Sequence, residues 1–242
     1  MYGLIGNPLG HSFSADFFNE KFKREGIDNS YELFPLASIT DITKLLKDHP
    51  DLQGLNVTIP YKEKVIPYLT GISESASQIG AVNVIKISDN GRSLVGYNSD
   101  SIGFHDSIAP LIKPHMKKAL VLGTGGASKA IVHVLRNLGL EVAKVSRRKG
   151  DGVITYADLS PEIMASHHVI VNTTPLGTWP NTDACADIPY GLLTPQHLCY
   201  DLVYNPEMTK FMRLASAKGA VVKNGLEMLH GQALAAWDIW NS

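Results

Sequence analysis

The chain has 242 residues, room for one large domain or two small ones. Apolar residues make up 44% and charged residues 19%, a globular balance, and 22 basic against 23 acidic side chains leave a net charge of −1. No basic excess is available to neutralise phosphates, no apolar run approaches the ~20 residues of a membrane-spanning helix, and Met1-Tyr2-Gly3-Leu4-Ile5-Gly6-Asn7-Pro8 lacks a basic, then apolar, leader. The expectations are no nucleic-acid partner, no membrane, and a cytoplasmic address.

The first hundred residues alternate strand-like and helix-like patterns. Residues 2–6 read as a short buried strand, and Phe18 and Phe22 mark one helix face by their i, i+4 spacing. Residues 31–34 read as a second strand, followed by a helical stripe of Ile39, Ile42 and Leu46. Residues 55–59 form a third strand ended by Pro60, and a helix is expected around residues 63–69. Residues 81–87 and 93–97 then read as a hairpin around Asp89-Asn90-Gly91. With Asn90-Gly91 as a two-residue loop, Asn83 falls opposite Asn98 and Ala81 opposite Asp100. Period-two alternation then puts Asn83, Asn98 and Asp100 on one face.

A helix over residues 102–112 opens a second pattern: strand 119–122, helix 127–138, strand 142–146, then strands at 168–171, 198–202 and 220–222. Strands alternating with helices at this spacing predict a parallel sheet. A last helix carries Leu229, Ala233, Ala236 and Trp240. Cys185 and Cys199 stand outside any metal-type spacing, and His167-His168 leads into a strand where neighbours point to opposite faces. Reduced thiols and no metal site are expected.

Strand 119–122 runs directly into Gly123-Thr124-Gly125-Gly126-Ala127-Ser128 and a helix. In that context Gly123 permits the tight turn and Gly125 lets backbone approach a pyrophosphate. Gly126 and Ala127 open a helix whose free N–H groups favour an anion. About 20 residues on, where an NAD site usually presents a carboxylate, the chain has Ser146-Arg147-Arg148. Guanidinium groups bind a 2′-phosphate bidentately, so NADP is the expected cofactor.

Four earlier segments are rich in polar groups. Gly10-His11-Ser12-Phe13-Ser14 places two hydroxyls before a helix, and Asn56-Val57-Thr58-Ile59-Pro60-Tyr61-Lys62 brings an amide, a hydroxyl and an ammonium to one strand end. Gly80-Ala81-Val82-Asn83 and Gly96-Tyr97-Asn98-Ser99-Asp100 lie on the hairpin arms. Each has a purely structural reading: Ser14 as a helix cap, Lys62 as a solvated first-turn residue, residues 98–100 as a turn. All four beside one nucleotide-binding pattern point instead to a substrate site.

With these motifs in this order, the sequence is similar to the shikimate dehydrogenase family from Ile5 to about Ala235. The resemblance implies an NADP-dependent oxidoreductase that interconverts 3-dehydroshikimate and shikimate. Its implied fold is α/β, a substrate domain over residues 1–101 rejoined by residues 226–242 and a Rossmann-type NADP domain over 102–225, with the active site in the cleft between them. It implies Lys62 and Asp100 as a proton-handling catalytic pair. Substrate would be held by Ser12, Ser14, Asn56, Thr58, Asn83, Tyr204 and Gln232. Gly123, Gly125, Gly126, Ala127, Ser146, Arg147, Arg148 and Thr173 would hold NADP, with Gly225 and Met228 flanking the nicotinamide. Ala15, Phe18, Val84 and Ser99 depart from the family's usual residues, and the chain is short for the family. A quinate/shikimate dual-specificity enzyme and a non-catalytic shikimate sensor are the alternatives. The expected partners are small molecules only, the chain acting as a monomer or homodimer.

Overall fold

In the computed structural model, residues 1–10 and 12–242 are described, residue 90 by its backbone alone. The chain divides into two units, Met1–Ile102 with Gln232–Ser242, and Gly103–Gly231. The strands of the first unit are β1 (Tyr2–Gly6), β2 (Tyr31–Pro35), β3 (Gly54–Val57), β4 (Gly71–Ile72), β5 (Val84–Ser88) and β6 (Ser93–Tyr97). They lie in the order β2-β1-β3-β5-β6-β4. β1 runs parallel to β2 and β3, whereas β5 is antiparallel to β3 and β6. The helices before residue 109 are α1 (Phe13–Glu25), α2 (Ile42–Asp48), α3 (Glu74–Ile79) and α4 (Ser99–Ile108). α1 starts at Ser12, carries Asp16 in its first turn and Lys23 and Arg24 in its last, and stops at Gly26 with φ 65°. Those charges complement the helix dipole, and only glycine adopts that left-handed cap freely.

The second unit contains β7 (Lys118–Leu122), α5 (Gly126–Asn137), β8 (Glu141–Ser146), β9 (Val153–Thr155), α6 (Pro161–Ser166), β10 (Val169–Asn172), β11 (Leu198–Asp201), α7 (Lys210–Ser216) and β12 (Val221–Lys223). Its six strands are all parallel, in the order β12-β11-β10-β7-β8-β9. The order reverses between β7 and β10, the position at whose carboxyl edge doubly wound sheets bind ligands. α8 (Leu226–Asn241) closes the described chain, and the boundaries between units fall inside α4 and α8. No described helix is long and apolar enough to cross a membrane.

Alternation along β1 sends Ile5 into one core layer, with Leu55, Val57 and Ile85. Tyr2 and Leu4 go to the opposite layer, with Phe18, Phe22, Tyr31 and, from α8, Ala233, Ala236 and Trp240. Trp240 fixes that layer: its indole N–H donates to the Ile85 carbonyl at 3.0 Å, and a side chain at Gly54 would lie 2.3 Å from the indole nitrogen. Each fully buried aromatic or aliphatic side chain there contributes roughly 1.5–3 kcal/mol.

Two expectations are corrected. Residues 63–69 are not an α-helix: turns lead into a 3-10 turn at Ile66–Tyr68. Pro67 has no N–H to return to Glu63, and the Ile66 N–H bonds to that carbonyl instead. The hairpin pairs as expected from Ser88 with Ser93 to Val84 with Tyr97, across a four-residue connection rather than a two-residue loop. The register then slips, because the Asn83 N–H donates to the Tyr97 carbonyl. Asn83 and Asn98 therefore leave direct opposition, and Asp100 lies on α4 rather than on a strand. The elements β4, α3, β9, α6 and α7 went unread in the sequence, each seven residues or shorter.

Candidate active site

In the first unit one buried polar chain ties together residues from five segments. The Lys62 ammonium donates to Asp100 Oδ2 at 2.6 Å, both side chains being largely shielded from solvent. Asp100 Oδ1 accepts from the Asn83 amide at 2.8 Å. Asn83 also donates to the Ser99 hydroxyl at 3.0 Å, and its own carbonyl oxygen accepts the Ser99 backbone N–H at 2.7 Å. The backbone places these groups: the Lys62 carbonyl takes the Val82 N–H at 2.7 Å, next to Asn83, and Asp100 enters in the first turn of α4. A carboxylate there sits at the positive end of the helix dipole. Asn98 has a different task from the one its spacing suggested. Its carbonyl oxygen accepts the Ser101 N–H and its amide donates to the Ala81 carbonyl, so it caps α4.

Asn56, on β3, donates to the Asn83 backbone carbonyl at 3.3 Å and accepts a 2.7 Å bond from the Tyr31 phenol. Burial pushes the Tyr31 hydroxyl far above the ordinary tyrosine range, so Tyr31 stays protonated. Ser14 lies half-buried in the first turn of α1. Ser12 stands at the start of α1 without a side-chain capping bond. Thr58 follows β3, and its methyl group fills the space a side chain at Gly6 would need. Gln232 is half-buried on α8. His11 lies outside the described residues.

In the second unit the candidate binding groups are mostly backbone. Gly123 has φ 111°, and a side chain there would fall 2.7 Å from the Thr173 hydroxyl. Thr173 donates to the Leu122 carbonyl through both its N–H (2.9 Å) and its hydroxyl (2.7 Å), tying the loop after β10 to the end of β7. Gly125 precedes α5 with open space where a side chain would project, and Gly126 and Ala127 form the first turn. The buried Ser128 hydroxyl turns inward to the Gly125 carbonyl at 2.6 Å, which leaves the outer N–H groups of the turn for an anion. Ser146 ends β8, and Arg147 and Arg148 are exposed just beyond it. A pyrophosphate fits the glycine turn, which a Cβ at Gly125 would begin to fill, and the exposed guanidinium groups of Arg147 and Arg148 have the charge and donors that a phosphate dianion takes.

Beside Thr173, Asn172 donates to Asp201 Oδ1 at 2.9 Å, and its own carbonyl oxygen accepts the Thr174 hydroxyl at 2.6 Å. Asp201 also accepts from the Thr209 hydroxyl and the Val203 N–H. Burial raises its carboxyl to about 6, the three hydrogen bonds opposing the shift. Tyr204 is exposed on the loop that Asp201 anchors. Gly225 is pressed against backbone, a Cβ there lying 2.1 Å from the Leu202 carbonyl oxygen. Met228 packs mainly into the core with Phe104 and Tyr200.

Sequence reasoning missed Tyr31 and Asn19 as parts of this network. Tyr31 reads as one more strand aromatic. Asn19, in α1, holds the Tyr31 backbone on both sides, accepting its N–H at 2.9 Å and donating to its carbonyl at 3.0 Å. An asparagine inside a helix was the only available signal, since that residue type favours caps over interiors.

Comparisons with known proteins agree with this arrangement. Residues 4–85 match the shikimate dehydrogenase substrate binding domain. The NADP(+) shikimate dehydrogenase of Clostridium beijerinckii is 38% identical, the match covering 99% of this chain and 91% of that one. The crystal structure of the Thermus thermophilus shikimate 5-dehydrogenase in complex with NADP(H) and shikimate is 31% identical. It matches with a TM-score of 0.85 over 99% of this chain and 92% of that chain. A Corynebacterium glutamicum quinate dehydrogenase in complex with NAD matches at 26% identity with a TM-score of 0.88, over 99% and 92% of the two chains. A parallel-stranded nucleotide unit, a lysine–aspartate–asparagine constellation in the other unit, and relatives at this identity over nearly the full length place the chain in the shikimate dehydrogenase family.

Proposed function

We propose that this chain catalyses the reversible, NADPH-dependent reduction of 3-dehydroshikimate to shikimate, the first unit binding substrate and the second binding NADP. The observation that carries the reading is the Lys62–Asp100–Asn83 constellation, in which both carboxylate oxygens are engaged and the ammonium is held at one address. NADPH, when bound, supplies the hydride. As negative charge develops on the substrate carbonyl oxygen, the Lys62 ammonium stabilises it and gives up a proton. Asp100 orients that ammonium, and Asn83 fixes Asp100. In the reverse direction neutral Lys62 accepts the hydroxyl proton.

Ser12, Ser14, Asn56, Thr58, Tyr204 and Gln232 supply the hydroxyl and amide groups for the substrate carboxylate and ring hydroxyls. The backbone at Gly123, Gly125, Gly126 and Ala127 receives the pyrophosphate, with Thr173 bracing the turn. Ser146, Arg147 and Arg148 receive the 2′-phosphate that separates NADP from NAD. Gly225 and Met228 border the nicotinamide end, and the partners of the protein are small molecules.

The test is near-ultraviolet absorbance on mixing the protein with NADP and shikimate, with NAD and quinate in the other three pairings. NADPH formation from shikimate is expected. Comparable rates with quinate would turn the reading to a dual-specificity enzyme. Silence in all four pairings, with shikimate still bound in a calorimeter, would turn it to a sensor.

A further inference from the structure

The second unit buries a polar chain that the proposed reaction does not use. Asn172 ends β10 and Asp201 ends β11, and the two are register partners in a parallel pair, so their side chains leave the sheet on one face. Both are fully buried, as is Thr209. A carboxyl group removed from water holds its place only by being bonded. Three donors converge on this one: the Asn172 amide at 2.9 Å and the Val203 N–H at 3.0 Å on Oδ1, and the Thr209 hydroxyl at 2.6 Å on Oδ2. Oδ1 already accepts the Val203 N–H, so the Asn172 amide must present its nitrogen there. The Asn172 oxygen is thereby turned to Thr174, accepting its N–H at 3.1 Å and its hydroxyl at 2.6 Å.

The chain ends at the glycine turn. A Cβ at Gly123 would lie 2.7 Å from the Thr173 hydroxyl and 3.2 Å from the Thr174 methyl, so these two threonines form the wall on which Gly123 rests. We infer that Asp201 is a positioning residue for the nucleotide cradle: by fixing the Asn172 amide it sets the Thr173–Thr174 wall, and with it the glycine turn. The inference rests on the assignment of the pyrophosphate to that turn. Without the carboxyl oxygen the Asn172 amide is free to flip, and the flipped amide would set its nitrogen against the Thr174 N–H, two donors face to face. The loop would then shift away from Gly123. These contacts run through β10 and β11, whereas Arg147 and Arg148 follow β8 on the other side of β7. Loss of Asp201 should therefore act on the pyrophosphate and spare the 2′-phosphate.

The test is the steady-state kinetics of Asp201→Ala and Asp201→Asn with shikimate, with the melting temperature keeping each assay on folded protein. The readouts are kcat, the KM for NADP, and the inhibition constant of 2′-AMP, which carries the 2′-phosphate without the pyrophosphate. Asp201→Ala should raise the KM for NADP about tenfold, with kcat kept within about threefold and the 2′-AMP constant within about twofold. Asp201→Asn keeps an oxygen for Asn172 and Val203 and should bring the KM back to within about twofold of the parent. An unchanged KM in Asp201→Ala, an equal loss for NADP and 2′-AMP, or no recovery in Asp201→Asn would overturn the positioning role. Gly125→Val tests the underlying assignment, since a Cβ there meets open space rather than protein. It should raise the KM for NADP by about tenfold or more, and an unchanged KM would remove the pyrophosphate from the turn. If Asp201→Ala does not fold, Thr174→Val keeps the methyl against Gly123 and removes the hydroxyl bonded to Asn172. A rise of about threefold in the KM for NADP is then expected, and no rise refutes the role.

Discussion

The substrate pocket and the nucleotide cradle are built by opposite means. In the first unit the proposed site is made of side chains, largely shielded from solvent and joined by hydrogen bonds: Lys62, Asp100, Asn83, Asn56, Tyr31. In the second the proposed site is backbone at Gly123–Ala127, a helix end, and two arginines in solvent. A network of side chains is specific but brittle, since removing one member strands the others without partners. A backbone cradle depends on residue identity chiefly at its glycines, and on the proposed reading its selectivity lies in the exposed charges at its rim.

The comparison breaks most sharply at Lys62. Lys62→Ala should lower kcat about a thousandfold, the scale of a lost proton-transfer group, while the KM for shikimate changes only a few-fold. Turnover within tenfold of the parent would remove Lys62 from the reaction. The contrasting test is the double substitution Arg147→Ala/Arg148→Ala, which should raise the KM for NADP roughly 30-fold and leave the KM for NAD and the kcat with shikimate alone. Equal losses for both dinucleotides would mean the arginines do not read the 2′-phosphate.

The smallest effect sharpens the contrast within the second unit, at the buried carboxylate network of Asp201. Asp201 titrates near 6 when folded, against about 3.9 unfolded, so the folded protein holds that proton more tightly. The stability this lends is whole below about pH 4 and is lost as the pH rises through about 6. Asp201→Asn keeps an acceptor for Asn172 and Val203 and can donate to Thr209. The variant should therefore gain on the order of 2 kcal/mol over the parent near pH 7.5 and little near pH 4, measured by urea denaturation. A variant weaker than the parent at both pH values would show that the carboxylate's hydrogen bonds outweigh its burial.

The cradle was legible because its rule is local: glycines at fixed offsets between a strand and a helix leave few alternatives, and the arginines follow at the next strand end. Long, periodic elements such as α1, α5 and α8 were legible for the same reason. The substrate side was legible as motifs and not as geometry. Spacing put Asn83, Asn98 and Asp100 on one strand face, yet the register slips after Val84 and Tyr97, Asn98 turns to cap α4, and Asp100 rides on that helix. The contact between Asn83 and Asp100 exists all the same, made across a helix cap. Tyr31 and Asn19 were invisible because a hydrogen bond spanning twelve residues leaves no periodic trace.

The aromatic layer of the first unit also sets an order of events during synthesis. Tyr2, Phe18, Phe22 and Tyr31 are made first, yet their covering residues, Ala233, Ala236 and Trp240, follow the whole of Gly103–Gly231. The earlier sheet must therefore wait with that face covered by α1 alone while the later unit is completed. That interval, rather than the finished fold, is when the chain exposes most apolar surface to aggregation.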